Sequence, residues 1–162
     1  MTTKPEIQVD LSISQAAREE LAEALSVLLA DTYMLYLKTQ NFHWNVKGPR
    51  FPELHRLFEE QYQALALAVD LVAERIRALG YPTPATFAEF SKRTLVEEVD
   101  GKIPSREMIE RLMRDNEKIA QVIRAMMPKA EEALDHATVD LFSERLSAHE
   151  KAAWMLRSTL ED

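Results

Sequence analysis

Apolar side chains recur every three or four residues over four long stretches of the chain, which is the spacing of one face of an α-helix. These stretches run from about Ser14 to Gln40, from Pro52 to Leu79, from Ser105 to Met127 and from Thr138 to Leu160. No stretch alternates apolar and polar residues for long enough to predict a strand. The pattern therefore predicts an all-α protein with four long helices.

Proline, glycine and serine residues mark where these helices begin and end. Pro52 suits the first turn of the second helix, and Gly80 follows its end. Pro128 is expected to end the third helix, because proline cannot continue the helical hydrogen bonding. Ser12 and Gln15 match the pattern of a capping box before the first helix.

The connections between the helices are unequal in length. Short turns join the first helix to the second, and about ten residues join the third to the fourth. The stretch 80–104 between the second and third helices is long, and its apolar piece Thr86–Lys92 predicts a short extra helix. Two hairpins and one long crossover are the connectivity of a ferritin-like four-helix bundle. We expect a short tail at 1–13 and one bundle domain at 14–162.

Composition and charge narrow the possible functions. The 162 residues carry a formal charge of −7 and contain no cysteine, so disulfides, zinc–thiolate sites and thiol catalysis are excluded. An acidic surface favours cations over nucleic acid or an anionic membrane. The N-terminal residues lack the apolar region of a signal peptide, and no apolar run reaches the length of a membrane span. We therefore expect a cytoplasmic protein without membrane contacts.

Histidine and carboxylate side chains cluster around the first turn and along the second helix. His43 lies at the end of the first helix, and His55 and Glu59 share a face of the second helix. Asp70 and Glu74 repeat that spacing further along. Imidazole and carboxylate ligands without sulfur suit iron, with manganese or zinc as possible substitutes.

The spacing of these groups excludes a single site within one straight helix. Glu59 and Asp70 point to nearly the same side, but they are separated by about 16 Å along the axis. Two copies of the second helix packed antiparallel about a two-fold axis would bring His55 and Glu59 of one chain against Asp70 and Glu74 of the other. His43 would join from the end of the first helix, so that each dimer would contain two identical sites. This crossing is expected near Ala64 and Leu65, where small residues permit close approach: Ala64, Ala66 and Ala68.

The same residues allow less specific interpretations. The like charges of Asp70 and Glu74 favour a cation nearby, and Arg75 or Arg77 of a neighbouring chain is an alternative to a metal. A helical scaffold without chemistry is a further alternative, in which these side chains are only solvated. His149 is expected to be a hydrogen-bonded core histidine. His136 is expected in a loop, and Asp140 at the start of the fourth helix, where an acid is favoured by the helix dipole.

Three segments of the chain resemble the Dps proteins, or mini-ferritins. They are HWNVKGPRFPELHRLFEEQY, AVDLVAERIRALG and HEKAAWMLRSTL, and the resemblance extends from about Leu25 to Leu160. It implies that His43, His55, Asp70 and Glu74 are ligands of a ferroxidase site. Glu59 stands where the family commonly has Asp, and Trp44 matches a tryptophan beside the site.

The resemblance also implies an assembly and a reaction. The assembly is a homododecameric shell with metal sites at its two-fold interfaces and with pores near Asp140 that admit cations. The reaction is the oxidation of Fe(II) to Fe(III), preferably by hydrogen peroxide, with storage of ferric mineral in the cavity. Such activity protects DNA and the cell from oxidative damage.

DNA binding is the competing function within the same family, and a lysine-rich terminal tail often provides it. Here the N-terminal tail contains only Lys4, together with Glu6 and Asp10. The C-terminus ends in two acids, Glu161 and Asp162. Because neutralising phosphates requires clustered basic residues, we expect DNA binding to be weak or absent. A nucleoid-type protein that compacts DNA is kept as the alternative.

Overall fold

The computed structural model describes residues 8–161, and these residues form five helices and no strand. The helices are α1 (Gln15–Asn45), α2 (Phe51–Ala78), α3 (Phe87–Arg93), α4 (Ser105–Glu132) and α5 (His136–Ser158). α1 packs along α2, α4 packs along α5, and contacts between α1 and α4 join the two pairs. The all-α four-helix bundle with a short helix in its crossover is therefore confirmed. Lys4, Glu6 and most of the predicted tail lie outside the described residues.

The core lies between the four long helices and is filled by large apolar side chains. Phe42, Phe58 and Phe142 come from α1, α2 and α5, and none of them retains measurable exposure to solvent. Burying one such side chain contributes roughly 1.5–3 kcal/mol. None of the helices in the described part of the chain is both long and apolar enough to cross a bilayer.

The prediction that Pro128 ends the third helix is wrong, because α4 continues to Glu132. Proline has no N–H, so the carbonyl of Arg124 loses its helical partner. Both residues are exposed, so water can satisfy that carbonyl. Only residues 133–135 then connect α4 to α5, not about ten, and His136 is the first residue of α5 and not part of a loop.

The first helix also differs from its predicted limits. Its N-cap is Ser14, whose Oγ accepts a hydrogen bond of 3.2 Å from the backbone N–H of Ala17. Ser12 is not the cap and has a positive φ of 55°. α1 extends beyond Gln40 to Asn45, which places His43 inside its last turn.

Two largely buried ion pairs connect segments that are distant in sequence. Lys38 of α1 donates to the Asp115 carboxylate of α4 over 2.5 Å, and both side chains are largely buried. Arg75 of α2 donates to Asp135 over 2.7 Å and to the hydroxyl of Thr138 over 2.9 Å. Burial alone would raise the pKa of Asp135, but hydrogen bonds from Arg75 and Thr138 outweigh it and lower that pKa.

The crossover between α2 and α4 is held against α1. The buried carboxylate of Asp31 accepts hydrogen bonds from the Thr94 hydroxyl over 2.9 Å and from the Leu95 N–H over 2.6 Å. Burial nevertheless raises the pKa of Asp31. Gly101 approaches α1 so closely that a Cβ atom there would lie 2.6 Å from the side chain of Asn41. These contacts fix the long connection across the outer side of α1.

Candidate metal centre

The two predicted histidine ligands lie face to face where α1 ends and α2 begins. The rings of His43 and His55 are stacked, with centroids 3.7 Å apart and planes inclined by 20°. The Nδ1 atom of His43 lies 2.7 Å from the carbonyl oxygen of His55, and the Nδ1 atom of His55 lies 2.8 Å from the carbonyl oxygen of His43. The structure thus brings these two residues together by a reciprocal pair of side chain–backbone contacts.

This reciprocal contact determines which ring nitrogen is available to a metal. A carbonyl oxygen can only accept a hydrogen bond, so each Nδ1 must carry the proton and donate it. In the neutral imidazole, Nε2 then holds the free lone pair, which is the form that binds a metal. A hydrogen bond from the other ring nitrogen to a carbonyl is also how metal-binding histidines are commonly oriented. His43 and His55 are therefore oriented so that Nε2 is the ring nitrogen available to a metal.

Aromatic side chains surround the histidine pair. The ring of Tyr62 meets His43 edge-on at 5.2 Å, and the ring of Phe51 lies 5.0 Å from His55. Tyr62 in turn contacts Tyr36 of α1 at 6.1 Å. The sequence pattern placed Tyr62 only on the apolar stripe of α2, and its contact with a ligand was not predicted. These rings restrict the movement of both imidazoles.

The three predicted carboxylate ligands lie on one flank of α2 and have no partner within the described part of the chain. Glu59 is half-buried, whereas Asp70 and Glu74 are exposed. The alternative cations are both engaged within their own chain, because Arg75 binds Asp135 and Arg77 donates to the carbonyl of Tyr81 over 3.1 Å. The mutual repulsion of Asp70 and Glu74 therefore remains uncompensated here.

The expected crossing residues on α2 need correction. Leu65 and Ala68 are buried in the bundle core, and Ala64 lines a cavity beside α5. At 100° per residue, the flank that carries Glu59 and Asp70 instead passes through Gln63 and Ala66, both exposed. The axial level of the crossing is unchanged, but Ala66 is the only one of the three predicted alanines on this flank.

No complete metal site lies within the described residues of one chain. Among residues 8–161, no group of three or more His, Asp or Glu side chains is close enough to hold a metal ion. His43 and His55 form a stacked pair. Asp70 lies on the flank of α2 that carries Glu59, about 16 Å further along by the helical rise, and Glu74 lies one turn beyond Asp70. The predicted ligands thus fall into two separate groups within one chain, a pair of imidazoles and a pair of distal carboxylates.

Several large side chains near these ligand sets are exposed. Trp44, next to His43, retains 63% of its accessible surface and borders a cavity with Leu37 and Asp100. On the neighbouring surface, Phe87 at the start of α3 is 70% exposed and lies beside the ring of Tyr33 at 6.4 Å. Exposed apolar groups of this size are typical of surfaces that contact other chains.

The remaining predicted residues lie away from the histidine pair. His149 is buried in the core, and its Nδ1 lies 2.8 Å from the side-chain oxygen of Asn116, which confirms the expected hydrogen-bonded core histidine. Asp140 is exposed, but because α5 begins at His136 it lies beyond the first turn, which contains no acid, so its expected place at the start of the helix is wrong. The structure does not bring either residue to the candidate metal centre.

Comparison with known proteins identifies the family of this chain. The family profile described as a ferritin-like domain matches residues 22–162. The DNA protection during starvation protein 2 of Bacillus anthracis is 37% identical over 142 residues, covering 88% of this chain and 97% of that protein. An uncharacterised low temperature-induced protein of Nostoc sp. is 33% identical over 156 residues, covering 95% of this chain and 87% of that protein.

The fold agrees with these sequence matches. The crystal structure of a Dps protein from Vibrio cholerae O1, described as a member of a superfamily of ferritin-like diiron-carboxylate proteins, has a TM-score of 0.90 and 31% identity. The match covers 98% of this chain and 100% of that one. The chain therefore belongs to the Dps family of the ferritin-like superfamily. Iron storage and DNA protection are the general functions of this family, ferroxidase-type chemistry is its general activity, and its members are multimers.

Proposed function

We propose that this protein is the subunit of a shell that oxidises Fe(II) and stores ferric mineral, with its iron sites built between two subunits. The observation that carries the proposal is the reciprocal Nδ1–carbonyl contact of His43 and His55. It leaves Nε2 of each ring available to a metal, and the half-buried Glu59 follows His55 by about one turn of α2. Such a pair is an incomplete ligand set that needs further carboxylates.

A second copy of the chain can supply those carboxylates. An antiparallel α2–α2 packing about a two-fold axis, crossing at Gln63 and Ala66, would bring Asp70 and Glu74 of one copy to the histidine pair of the other. Two features support this arrangement: Asp70 and Glu74 have no partner within the described chain, and Arg75 and Arg77 are already engaged. The exposed Trp44 and Phe87 would be covered at contacts between subunits.

The ligand set suits the oxidation of iron as a substrate. Carboxylate oxygens are hard, negatively charged donors, so they stabilise Fe(III) more than Fe(II) and favour loss of an electron. Two Fe(II) ions held close together can deliver two electrons to one peroxide, so that two Fe(II), one H₂O₂ and two protons yield two Fe(III) and two H₂O. No hydroxyl radical is released in this balance. Zinc or manganese would bind the same residues in place of iron, and that binding does not depend on the oxidation reaction.

The assembly and setting are part of the proposal. We propose a homododecameric, cytoplasmic shell in which Asp140, exposed on α5, lines a pore for cations. Trp44 lies next to a ligand and is exposed, so it can exchange an electron with the site or pack at the interface. A mass measurement of the purified assembly tests the dodecamer.

Hydrogen peroxide is expected to be the preferred oxidant. When Fe(II) is mixed anaerobically with peroxide, ferric absorbance should rise faster than with dioxygen at the same concentration, because a di-iron site supplies the two electrons that peroxide accepts. The stoichiometry should approach two Fe(II) per peroxide, and a spin trap should detect little hydroxyl radical. Faster oxidation by dioxygen, or one Fe(II) per peroxide with abundant radical, would contradict the peroxide preference.

DNA compaction is the alternative function, and the charges of the chain argue against it. The formal charge is −7, and both ends of the sequence carry acids. Because phosphate neutralisation requires clustered Lys or Arg, a gel-shift assay at low salt should show weak or no retardation of DNA by the assembled protein. Tight, salt-sensitive binding at neutral pH would overturn this expectation and favour the alternative.

A further inference from the structure

A cavity lined by both polar and apolar side chains lies between α2 and α5, on the side of α2 away from Glu59. Its volume is about 370 Å³. Six polar or charged side chains line it together with apolar ones: Glu60, Gln61, Asn116, Arg145, His149 and Lys151. None of the residues proposed to bind iron contributes to its walls, so what it binds can be tested independently of iron oxidation.

Three of the side chains that line this cavity each contain a buried polar atom with no hydrogen-bond partner. These atoms are Nε2 of Gln61, Nε of Arg145 and Nε2 of His149. Only six such side-chain atoms occur in the described part of the chain, and half of them belong to residues that line this cavity. Because buried polar groups are nearly always paired, this concentration indicates that something absent from the protein chain satisfies them.

The hydrogen bonds of the cavity define the role of each atom. Asn116 donates its Nδ2 to the carbonyl of Leu112 over 2.8 Å, so its Oδ1 is the atom that faces His149. His149 must then donate from Nδ1, which leaves Nε2 as an acceptor. Burial, reinforced by the nearby charge of Arg145, lowers the pKa of His149 to about 3, so the ring stays neutral near pH 7.

The charges of the cavity favour an anion. The side chain of Arg145 is 7% exposed, and its one ion pair within the described chain is with the exposed Glu144, 3.9 Å from Nη1. A buried guanidinium with so weak a partner requires a counter-charge. Lys151 and Glu60 also line the cavity, and their opposite charges cancel in the net charge of the lining. The net charge of the lining is therefore positive.

We propose that this cavity binds a small oxyanion that carries a proton, the chemistry shared by hydrogencarbonate and dihydrogen phosphate. Two oxygens of such an ion accept hydrogen bonds from Arg145 Nε and Gln61 Nε2, while its O–H group donates to His149 Nε2. Its negative charge neutralises Arg145. Sulfate has no O–H group near neutral pH and meets only part of this requirement, and water meets the hydrogen bonds without supplying the charge.

Equilibrium dialysis of the assembled, iron-free protein with labelled phosphate or labelled hydrogencarbonate tests the site. We expect saturable binding of one ion per subunit, and about tenfold weaker binding in Arg145→Gln, since a charge-assisted hydrogen bond is lost. Gln61→Leu removes only an unpaired donor at a half-exposed position, so it should weaken binding several-fold with the fold intact. Arg114→Gln, which removes an exposed arginine on the outer side of α4, is the matched control and should bind like the wild type.

The results of the dialysis distinguish which ion occupies the cavity. Competition between the two ions supports their shared chemistry, and binding of one alone supports the proposal and identifies the ion. The proposal is overturned if neither ion binds saturably, which would leave water as the occupant. It is also overturned if Gln61→Leu and Arg145→Gln bind like Arg114→Gln, or if sulfate competes as well as phosphate.

Discussion

Asp70→Ala should reduce the rate of Fe(II) oxidation by at least ~100-fold while the shell remains assembled. The loss of a residue that only orients a metal ligand already costs about 10–100-fold in activity or affinity, and the loss of a ligand should cost no less. Asp70 is exposed and makes no hydrogen bond or ion pair within the described chain, so its removal does not disturb the subunit. The measurement is the initial rate of ferric absorbance after addition of peroxide to Fe(II) under anaerobic conditions.

Stability distinguishes this expectation from simple damage to the fold. Like charges at i and i+4 destabilise a helix by roughly 0.2–0.5 kcal/mol, so the metal-free Asp70→Ala variant should be as stable as the wild type or slightly more so. Glu132→Ala removes another exposed acid, at the end of α4, and serves as the matched control with unchanged rate. If Asp70→Ala oxidises iron like Glu132→Ala, the chain is a scaffold without chemistry at this position.

Most of the fold follows from local patterns that a sequence displays. The stripes of apolar residues predicted the long helices of the bundle, because burial of one helix face repeats every three or four residues. Pro128 was misjudged, since its effect depends on whether solvent reaches the Arg124 carbonyl. That depends on the packing of α4 and not on the residues near Pro128 in sequence. The wrong prediction that His136 lies in a loop had the same cause.

The candidate site was predictable in part. The sequence predicts that one flank of a helix carries His55, Glu59, Asp70 and Glu74. The reason is that side chains about one turn apart on a helix point in nearly the same direction. The stacking of His43 on His55 cannot be predicted in this way, because it depends on how α1 and α2 meet after a turn of five residues, 46–50. That contact turns two scattered histidines into an oriented pair, which gives the proposed site its nitrogen ligands.

The identity of the crossing residues depends on the structure in the same way. The sequence gives the axial level from the midpoint between Glu59 and Asp70, but three alanines near that level are equally small. The structure separates them, because Ala68 is buried in the core and Ala64 borders the cavity beside α5. Ala66 is left on the flank where a second copy of α2 is expected to cross.

The central claim is that each iron site takes its histidines from one subunit and its distal carboxylates from another. His55→Ala and Asp70→Ala chains should therefore each be inactive alone but complement each other in mixed shells. In a mixed two-fold pair, one site combines the intact His55 of one chain with the intact Asp70 of the other, and the second site has lost both. Sites completed within one subunit would allow no such rescue.

The decisive measurement is the rate of iron oxidation by shells assembled from equal amounts of the two variants and purified through a different tag on each chain. Random pairing makes about half of the two-fold pairs mixed, with one intact site in each, so the activity should return to about a quarter of the wild-type rate. Activity that stays at the level of the separate variants, in shells shown to contain both chains, would contradict the intersubunit site.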